Sequence, residues 1–163
     1  MRSSGTPPRG DDAPGDVIDE LNRLMAEEAE ACLRYLQMRY RLRSEDYAAA
    51  GPFFDEAIRE TMEHASAVAQ QIRSLGRIPT LRINLSLGGG PMRLEAALAE
   101  ALDVEQQALE AYQDLLPRVA GDQALAEFIR RQVEVETEHV QAIRDITRAK
   151  GTMKLVAKSE AGP

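Results

Sequence analysis

Four long segments in which apolar residues recur every three or four positions constrain the fold of this chain more than any other feature. They span roughly residues 16–43, 52–75, 91–116 and 122–150, and their period is that of an α-helix with one buried face. Aromatic residues make up only 4% of the sequence and tryptophan is absent, whereas strands are usually enriched in both. The sequence therefore predicts an all-α protein with four helices.

The second helix has two alternative starts. Its pattern is clearest from Pro52 and stops at Gly76, a residue type that often follows a helix end. Residues 44–46, Ser-Glu-Asp, offer an earlier capped start, in which case Pro52 lies inside the helix as a kink. The other boundaries are clearer, because Pro91 suits the first turn of the third helix and Gly151 follows the fourth.

The connection between the second and third helices is the longest in the chain. Residues 77–90 contain Pro79, three consecutive glycines and an alternation of Leu81, Ile83 and Leu85, so they form an irregular loop or a two-stranded hairpin. Such a segment reaches about 46 Å when extended, whereas a helix of ~24 residues is ~36 Å long. We expect two antiparallel helical hairpins joined by one long crossover, with the second and third helices parallel.

The chain ends and the overall charge limit the partners. Residues 1–15 are rich in Pro, Gly, Ser and Asp and are predicted to be a disordered extension, residues 16–150 one domain, and residues 151–163 a flexible tail. A net charge of -7 without a basic cluster argues against nucleic acid, and no apolar run is long enough for a membrane span. Cys32 is the single cysteine and no signal segment is evident, so we expect a cytoplasmic protein.

The two predicted hairpins repeat one chemical pattern. Each has a glutamate, a tyrosine seven residues later and a histidine in its second helix: Glu28, Tyr35 and His64, then Glu105, Tyr112 and His139. Seven residues are two helical turns, so each glutamate and tyrosine share one face. Alone, each glutamate is more often part of a solvated face and each tyrosine part of a core. The repetition favours a shared site.

The fourth helix adds a carboxylate one turn before its histidine. Glu136 and His139 are three residues apart and can reach one metal ion from one helix face. One glutamate from each of two helices, with Glu-x-x-His from the others, is the recurring ligand set of di-iron carboxylate bundles. Oxygen and imidazole ligands suit Fe, Mn or Zn.

Across residues 16–150 the chain resembles the bacterioferritin family. The stretch DVIDELNRLMAEEAEACLRYLQMRY is similar to the family's first helix, IRETMEHASAVAQQIRSLGRIPTL to its second helix and the start of the crossover, and VEVETEHVQAIRDI to its fourth. The resemblance implies a ferritin-like four-helix bundle. It also implies these metal ligands: Glu28, His64, Glu105, Glu136 and His139. Tyr35 and Tyr112 would then fix the glutamates by hydrogen bonds.

The sequence departs from this family at Thr61, which stands where the family has its second metal-bridging glutamate. Glu28, Glu105 and Glu136 supply three negative charges where four would balance two Fe²⁺ ions, so both one and two metal ions per chain remain open. Glu60, one turn from His64, is a further candidate ligand. It also matches an acidic position on the family's inner surface.

The resemblance further implies that Met62, with its twin across a dimer dyad, is an axial ligand of haem b. Bacterioferritins form 24-subunit shells that oxidise Fe²⁺ with O₂ or peroxide and store ferric mineral. The leading hypothesis is therefore a ferroxidase that stores or detoxifies iron, as a homo-oligomer between a dimer and such a shell. One alternative is a haem-binding, ferroxidase-poor subunit that assembles with a second bacterioferritin subunit. Another is a rubrerythrin-like di-metal protein that forms no shell.

Overall fold

The computed structural model describes residues 15–160, and side chains over residues 15–149. It contains α1 (Gly15–Arg41), α2 (Ser44–Ser74), α3 (Leu94–Leu115) and α4 (Gln123–Glu160), with a short 3₁₀ turn, Leu116–Val119, after α3. No β-strand occurs in the described part of the chain, so the crossover is an irregular loop. The predicted extension lies outside the described residues except for Gly15, which begins α1.

The start of α2 is the earlier of the two predicted alternatives. The helix begins at Ser44 and contains Pro52 in its interior. Proline lacks the N–H that an interior helical position donates, so this turn of α2 has one backbone hydrogen bond fewer. The preceding residue, Gly51, lies against the side chain of Arg39 in α1. A Cβ atom at this position would lie only 2.6 Å from Cζ of Arg39.

The predicted topology is confirmed by contacts at one end of the bundle. Met92 donates its backbone N–H to the carbonyl oxygen of Arg41 at 2.6 Å, and Arg43 donates to that of Met92 at 3.2 Å. Asp46 accepts a hydrogen bond from the backbone N–H of Leu94 at 3.2 Å. These contacts bring the start of α3 beside the start of α2, so the two helices run parallel and the crossover spans the bundle.

The crossover is fastened along the length of α1. The backbone N–H of Thr80 donates to Asn22 at 2.7 Å, and that of Asn84 donates to Glu30 at 2.9 Å. Gln37 donates to the carbonyl oxygen of Gly88 at 2.7 Å. Gly90 closes the loop with φ of 83°, a backbone conformation that glycine adopts without steric cost.

The prediction that the fourth helix ends at Lys150 was wrong. The backbone of α4 continues through Gly151 to Glu160, so the predicted flexible tail lies largely within the helix. Glycine inside a helix costs about 1 kcal/mol relative to alanine, and the Met, Lys, Leu and Ala residues that follow are good helix formers. Residues 161–163 lie outside the described part.

The core consists of two apolar clusters with a polar layer between them. One includes Leu21, Val68, Leu115 and Ile129, and the other includes Met38, Phe54, Leu98 and Ile143. The layer contains two half-buried histidines, His64 and His139, and these buried polar residues: Glu28, Thr61, Glu105, Gln132 and Glu136. Within residues 15–160, no helix is both long and apolar enough to cross a membrane.

Candidate metal centre

The polar layer brings together the five side chains that the sequence analysis selected as metal ligands. Glu28 comes from α1, His64 from α2, Glu105 from α3, and Glu136 and His139 from α4. The two imidazole rings are stacked, with centroids 5.6 Å apart and planes 12° apart. Their donor atoms form two groups that have Glu136 in common, each compact enough for one metal ion.

The first group contains Glu28, His64 and Glu136, and we call it the His64 half-site. Nδ1 of His64 lies 3.1 Å from Oε1 of Glu136 and 3.6 Å from Oε2 of Glu28. All three ligand atoms lie within 4.8 Å of one another.

The second group, the His139 half-site, contains Glu105, Glu136 and His139. Nδ1 of His139 lies 3.2 Å from Oε2 of Glu105 and 3.5 Å from Oε2 of Glu136. Glu136 therefore turns one oxygen towards each histidine, which is how a carboxylate bridges two metal ions.

Both tyrosines reach across to the other hairpin. The hydroxyl of Tyr35 in α1 donates a hydrogen bond to Glu105 in α3, and that of Tyr112 in α3 donates to Glu28 in α1 at 2.8 Å. Burial and the nearby carboxylates raise the pKa of each tyrosine well above its usual value, so both hydroxyls keep their protons. Tyr35 therefore fixes the carboxylate that faces His139, and Tyr112 fixes the carboxylate that faces His64.

The charged groups of the centre shift one another's pKa values. Burial by itself lowers the pKa of each histidine, but hydrogen bonding and attraction from the carboxylates outweigh it and raise the pKa of both to about 10. Burial opposes ionisation of Glu136, yet its two histidine partners lower its pKa to about 2. Burial raises the pKa of Glu105 to about 7. Without a metal, both imidazoles are therefore protonated at neutral pH.

The geometry fits a cation. Nδ1 of His64 and Oε1 of Glu136 are buried and close, but neither has a well-aligned hydrogen bond within the described part of the molecule. Buried polar atoms without partners are costly, and a metal ion that replaced the histidine proton would satisfy both. The mixed oxygen and nitrogen donors suit Fe, Mn or Zn.

Three other residues selected from the sequence lie outside the two half-sites. Thr61 is only 3% exposed, and its hydroxyl donates to the carbonyl oxygen of Ala57 at 2.8 Å. Glu60 lies 3.3 Å from Nε2 of His139, on the opposite side of the ring from the Nδ1 atom that faces the half-site. Met62 is 52% exposed.

Nothing in the sequence indicated an acidic groove that leads to the centre between α1 and α3. A groove of about 230 Å³ between α1 and α3 reaches Glu28, and its walls include Glu27, Glu30, Glu100 and Asp103. Charged residues are common on exposed helix faces, so nothing in their spacing distinguished these four.

Comparison with known proteins places this architecture among relatives. The family model of the ferritins, described as a ferritin-like domain, matches residues 18–151. Bacterioferritin from Desulfovibrio desulfuricans is 27% identical over 138 residues, which cover 83% of this chain and 76% of that protein.

Two solved structures resemble the whole bundle. The X-ray structure of the Desulfovibrio desulfuricans bacterioferritin, described by its diiron site in different catalytic states, has a TM-score of 0.79 and 25% identity, and the match covers 93% of this chain and 91% of that one. A dodecameric thioferritin from Bacteroides fragilis has a TM-score of 0.77 and 22% identity, with coverage of 86% and 89%, and shows the fold alone.

Proposed function

This chain belongs to the ferritin family, and on that premise we propose that it binds iron between its two hairpins and oxidises Fe²⁺ there. Within the family it is a homologue of bacterioferritin. The diiron site named for that relative makes iron the favoured metal for the five candidate ligands, which are Glu28, His64, Glu105, Glu136 and His139.

One observation carries the proposal, which is that two stacked histidines face three buried carboxylates drawn from α1, α3 and α4. Buried carboxylates are rarely retained in a core without paired charge. Here the paired charge in the absence of metal is the two histidine protons, which a divalent ion can replace.

The chain's residues would divide the work in a simple way. Fe²⁺ is the substrate, and each ion gives one electron to O₂ or peroxide. Glu136 holds both half-sites at a fixed separation, while Glu28 and Glu105 balance the charge on either side. Tyr35 and Tyr112 keep these glutamates in place, because their protonated hydroxyls donate to the ionised carboxylates. The apolar clusters above and below limit access of water.

Substitution of His139 by Ala tests the activity. We expect Fe²⁺ oxidation, followed by the absorbance of ferric product under air, to fall to the uncatalysed rate in the variant. Gln141→Ala, an exposed change on the same helix, is the control and should keep the normal rate. Unchanged oxidation in His139→Ala would contradict the ferroxidase proposal.

We further propose that the chain forms a homo-oligomeric shell that stores or detoxifies iron in the cytoplasm. The support is its homology to bacterioferritin. Light scattering measures the mass directly. A stable dimer would exclude storage in a cavity and would favour a rubrerythrin-like role instead.

A second candidate function follows from Thr61 and Met62. Thr61 contributes no charge at the centre, and Met62 presents an exposed thioether on the outside of α2. These features suit a ferroxidase-poor subunit that binds haem b through Met62 and assembles with a second, competent bacterioferritin subunit. A Soret band that disappears in Met62→Ala, with no iron oxidation by the pure homo-oligomer, would favour this function over the first.

A further inference from the structure

A small apolar pocket opens on the α2/α4 face of the metal centre. It has a volume of about 200 Å³, and its apolar walls are Phe53, Ala57, Ala142 and Ile143. At its inner end it reaches Glu105 and His139, so it contacts the His139 half-site directly. Ala142 is exposed, which puts the mouth of the pocket on the outer surface of the bundle.

Thr61 forms part of the inner wall and adds little polarity. Its hydroxyl hydrogen is used within α2, where it is donated to the carbonyl oxygen of Ala57 at 2.8 Å. A glutamate at this position would extend a carboxylate towards the centre. Threonine leaves that space as pocket.

The remaining polar groups of the pocket already have partners. Glu56 accepts hydrogen bonds from Arg59. Glu60 lies 3.5 Å from the guanidinium of Arg59 and 3.3 Å from Nε2 of His139. Glu105 accepts the hydrogen bond of Tyr35 and lies 3.2 Å from Nδ1 of His139. A polar guest such as hydrogen peroxide would give up hydrogen bonds to water here and regain few. A small nonpolar guest loses nothing.

The acidic groove on the α1/α3 face has the opposite character. Four carboxylates and the guanidinium of Arg34 line its approach to Glu28, and this excess of negative charge favours a cation over an apolar molecule. The two faces of the same centre thus differ in the kind of reactant that each can admit.

We propose that the α2/α4 pocket is a binding site for a small nonpolar diatomic molecule of the dioxygen class, adjacent to His139. An apolar cavity of about 150 Å³ in another protein stays dry and binds xenon, so the volume of this pocket is sufficient. The role of the pocket rests on the proposed function: if the chain oxidises iron, this pocket delivers dioxygen, and not peroxide, to the His139 half-site.

Xenon is a suitable probe, because it is nonpolar and needs no metal. Methyl NMR spectra of the full-length, metal-free protein are recorded with and without xenon pressure. We expect saturable shifts in the methyl groups of Ala57, Thr61, Ala142 and Ile143, and none around Ala108 in the acidic groove. The shifts should be lost in Ala57→Leu and in Ala142→Leu, whose exposed position makes it harmless to folding, and kept in the matched control Ala108→Leu.

The kinetic consequence is tested with the same variants. In Ala57→Leu and Ala142→Leu, the O₂ concentration that gives half-maximal iron oxidation should rise several-fold, while the peroxide-driven rate and the half-saturating Fe²⁺ concentration stay unchanged.

Two results would overturn the inference. One is the absence of xenon shifts at the pocket. The other is an unchanged O₂ dependence in both filled variants of a protein that oxidises iron. Because the xenon experiment uses no metal, a chain that binds xenon but never oxidises iron would refute the proposed function and leave the pocket established as a nonpolar binding site.

Discussion

The two helical hairpins are close chemical copies that differ at one decisive position. Each provides a glutamate, a tyrosine and a histidine to the polar layer, and each tyrosine bonds the glutamate of the other hairpin. Three residues before the histidine, however, the first hairpin has Thr61 and the second has Glu136. Thr61 turns its hydroxyl to its own helix, whereas Glu136 faces both histidines.

Pseudo-symmetry in the fold therefore does not guarantee symmetry in the charge of the site. One carboxylate serves both half-sites, so metal binding in one half-site changes the ligand available to the other. Substitutions at the position three residues before each histidine therefore test most directly how the two hairpins differ.

Substitution of Glu136 by Gln should have the largest effect, because it removes the ligand common to both half-sites. Loss of a partner that merely orients a ligand weakens metal binding by roughly 10–100-fold, so loss of the ligand itself should weaken both Zn²⁺-binding events further. Isothermal titration calorimetry measures this. Glu134→Gln, an exposed glutamate on the same helix, is the control. Loss of only one event would show that Glu136 belongs to a single half-site.

Substitution of one tyrosine by phenylalanine should affect one half-site at a time. Tyr112→Phe releases Glu28 in the His64 half-site, and Tyr35→Phe releases Glu105 in the His139 half-site. Each should weaken one of two Co²⁺-binding events by roughly 10–100-fold, visible in the absorption spectrum during titration. Tyr40→Phe, at an exposed site, should change neither event. Equal weakening of both events by either variant would argue against separate half-sites.

Replacing Thr61 by Glu restores the match between the hairpins. In the metal-free protein, an additional buried carboxyl group should lower the free energy of unfolding by about 1–3 kcal/mol, because it is desolvated without a counter-charge. With Zn²⁺ present, the sign should reverse as the carboxylate meets the metal. Thermal unfolding with and without Zn²⁺ measures both changes.

Thr147→Glu is the matched control for this restoration. Its hydroxyl also donates to a carbonyl oxygen four residues earlier, that of Ile143 at 2.8 Å, but it lies on the exposed surface of α4. It should show no dependence on Zn²⁺. A Thr61→Glu protein that is destabilised equally with and without metal would place residue 61 out of reach of the centre.

The smallest expected difference between the two hairpins concerns proton release, because their histidines should behave alike. The carboxylates raise the pKa of His64 and His139 to about 10, so both rings are protonated at pH 7 and must lose a proton to bind metal. Occupation of both half-sites should then release at least about two protons, and affinity should increase as pH rises from 7 towards 10. Calorimetry in buffers of different ionisation enthalpy measures the number of protons released. If no protons are released, the two histidine rings are neutral in the metal-free protein.

The sequence was sufficient to predict the bundle and its topology, because helical periodicity and the length of residues 77–90 depend on local chemistry and reach. It also pointed to the glutamates, tyrosines and histidines that meet at the centre, since the same spacing occurs in both hairpins, but it gave no sign of the buried Gln132. Which tyrosine meets which glutamate could not be derived. That pairing depends on how two hairpins dock, and a spacing within one helix carries no information about it.

Two local features were also beyond the sequence. Gly151 was interpreted as a helix end, but the cost of one glycine is small beside the hydrogen bonds of a continuing helix. Glu60 was considered a further ligand because it lies one turn from His64, and its contact with Nε2 of His139 on the neighbouring helix could not be derived from that spacing. Periodicity places a residue on a face and leaves its contact across the interface undetermined.

The crossed tyrosine–glutamate hydrogen bonds make each hairpin depend on the other for the geometry of its metal ligands. A single cut within the crossover would give two half-molecules, α1 with α2 and α3 with α4. In the α1–α2 half, Glu28 would lack the hydroxyl of Tyr112, and His64 would lack Glu136. In the α3–α4 half, Glu105 would lack the hydroxyl of Tyr35, although it would stay together with Glu136 and His139. The α1–α2 fragment alone cannot form its half-site, so metal binding at His64 would report that the halves have reassembled in the native register.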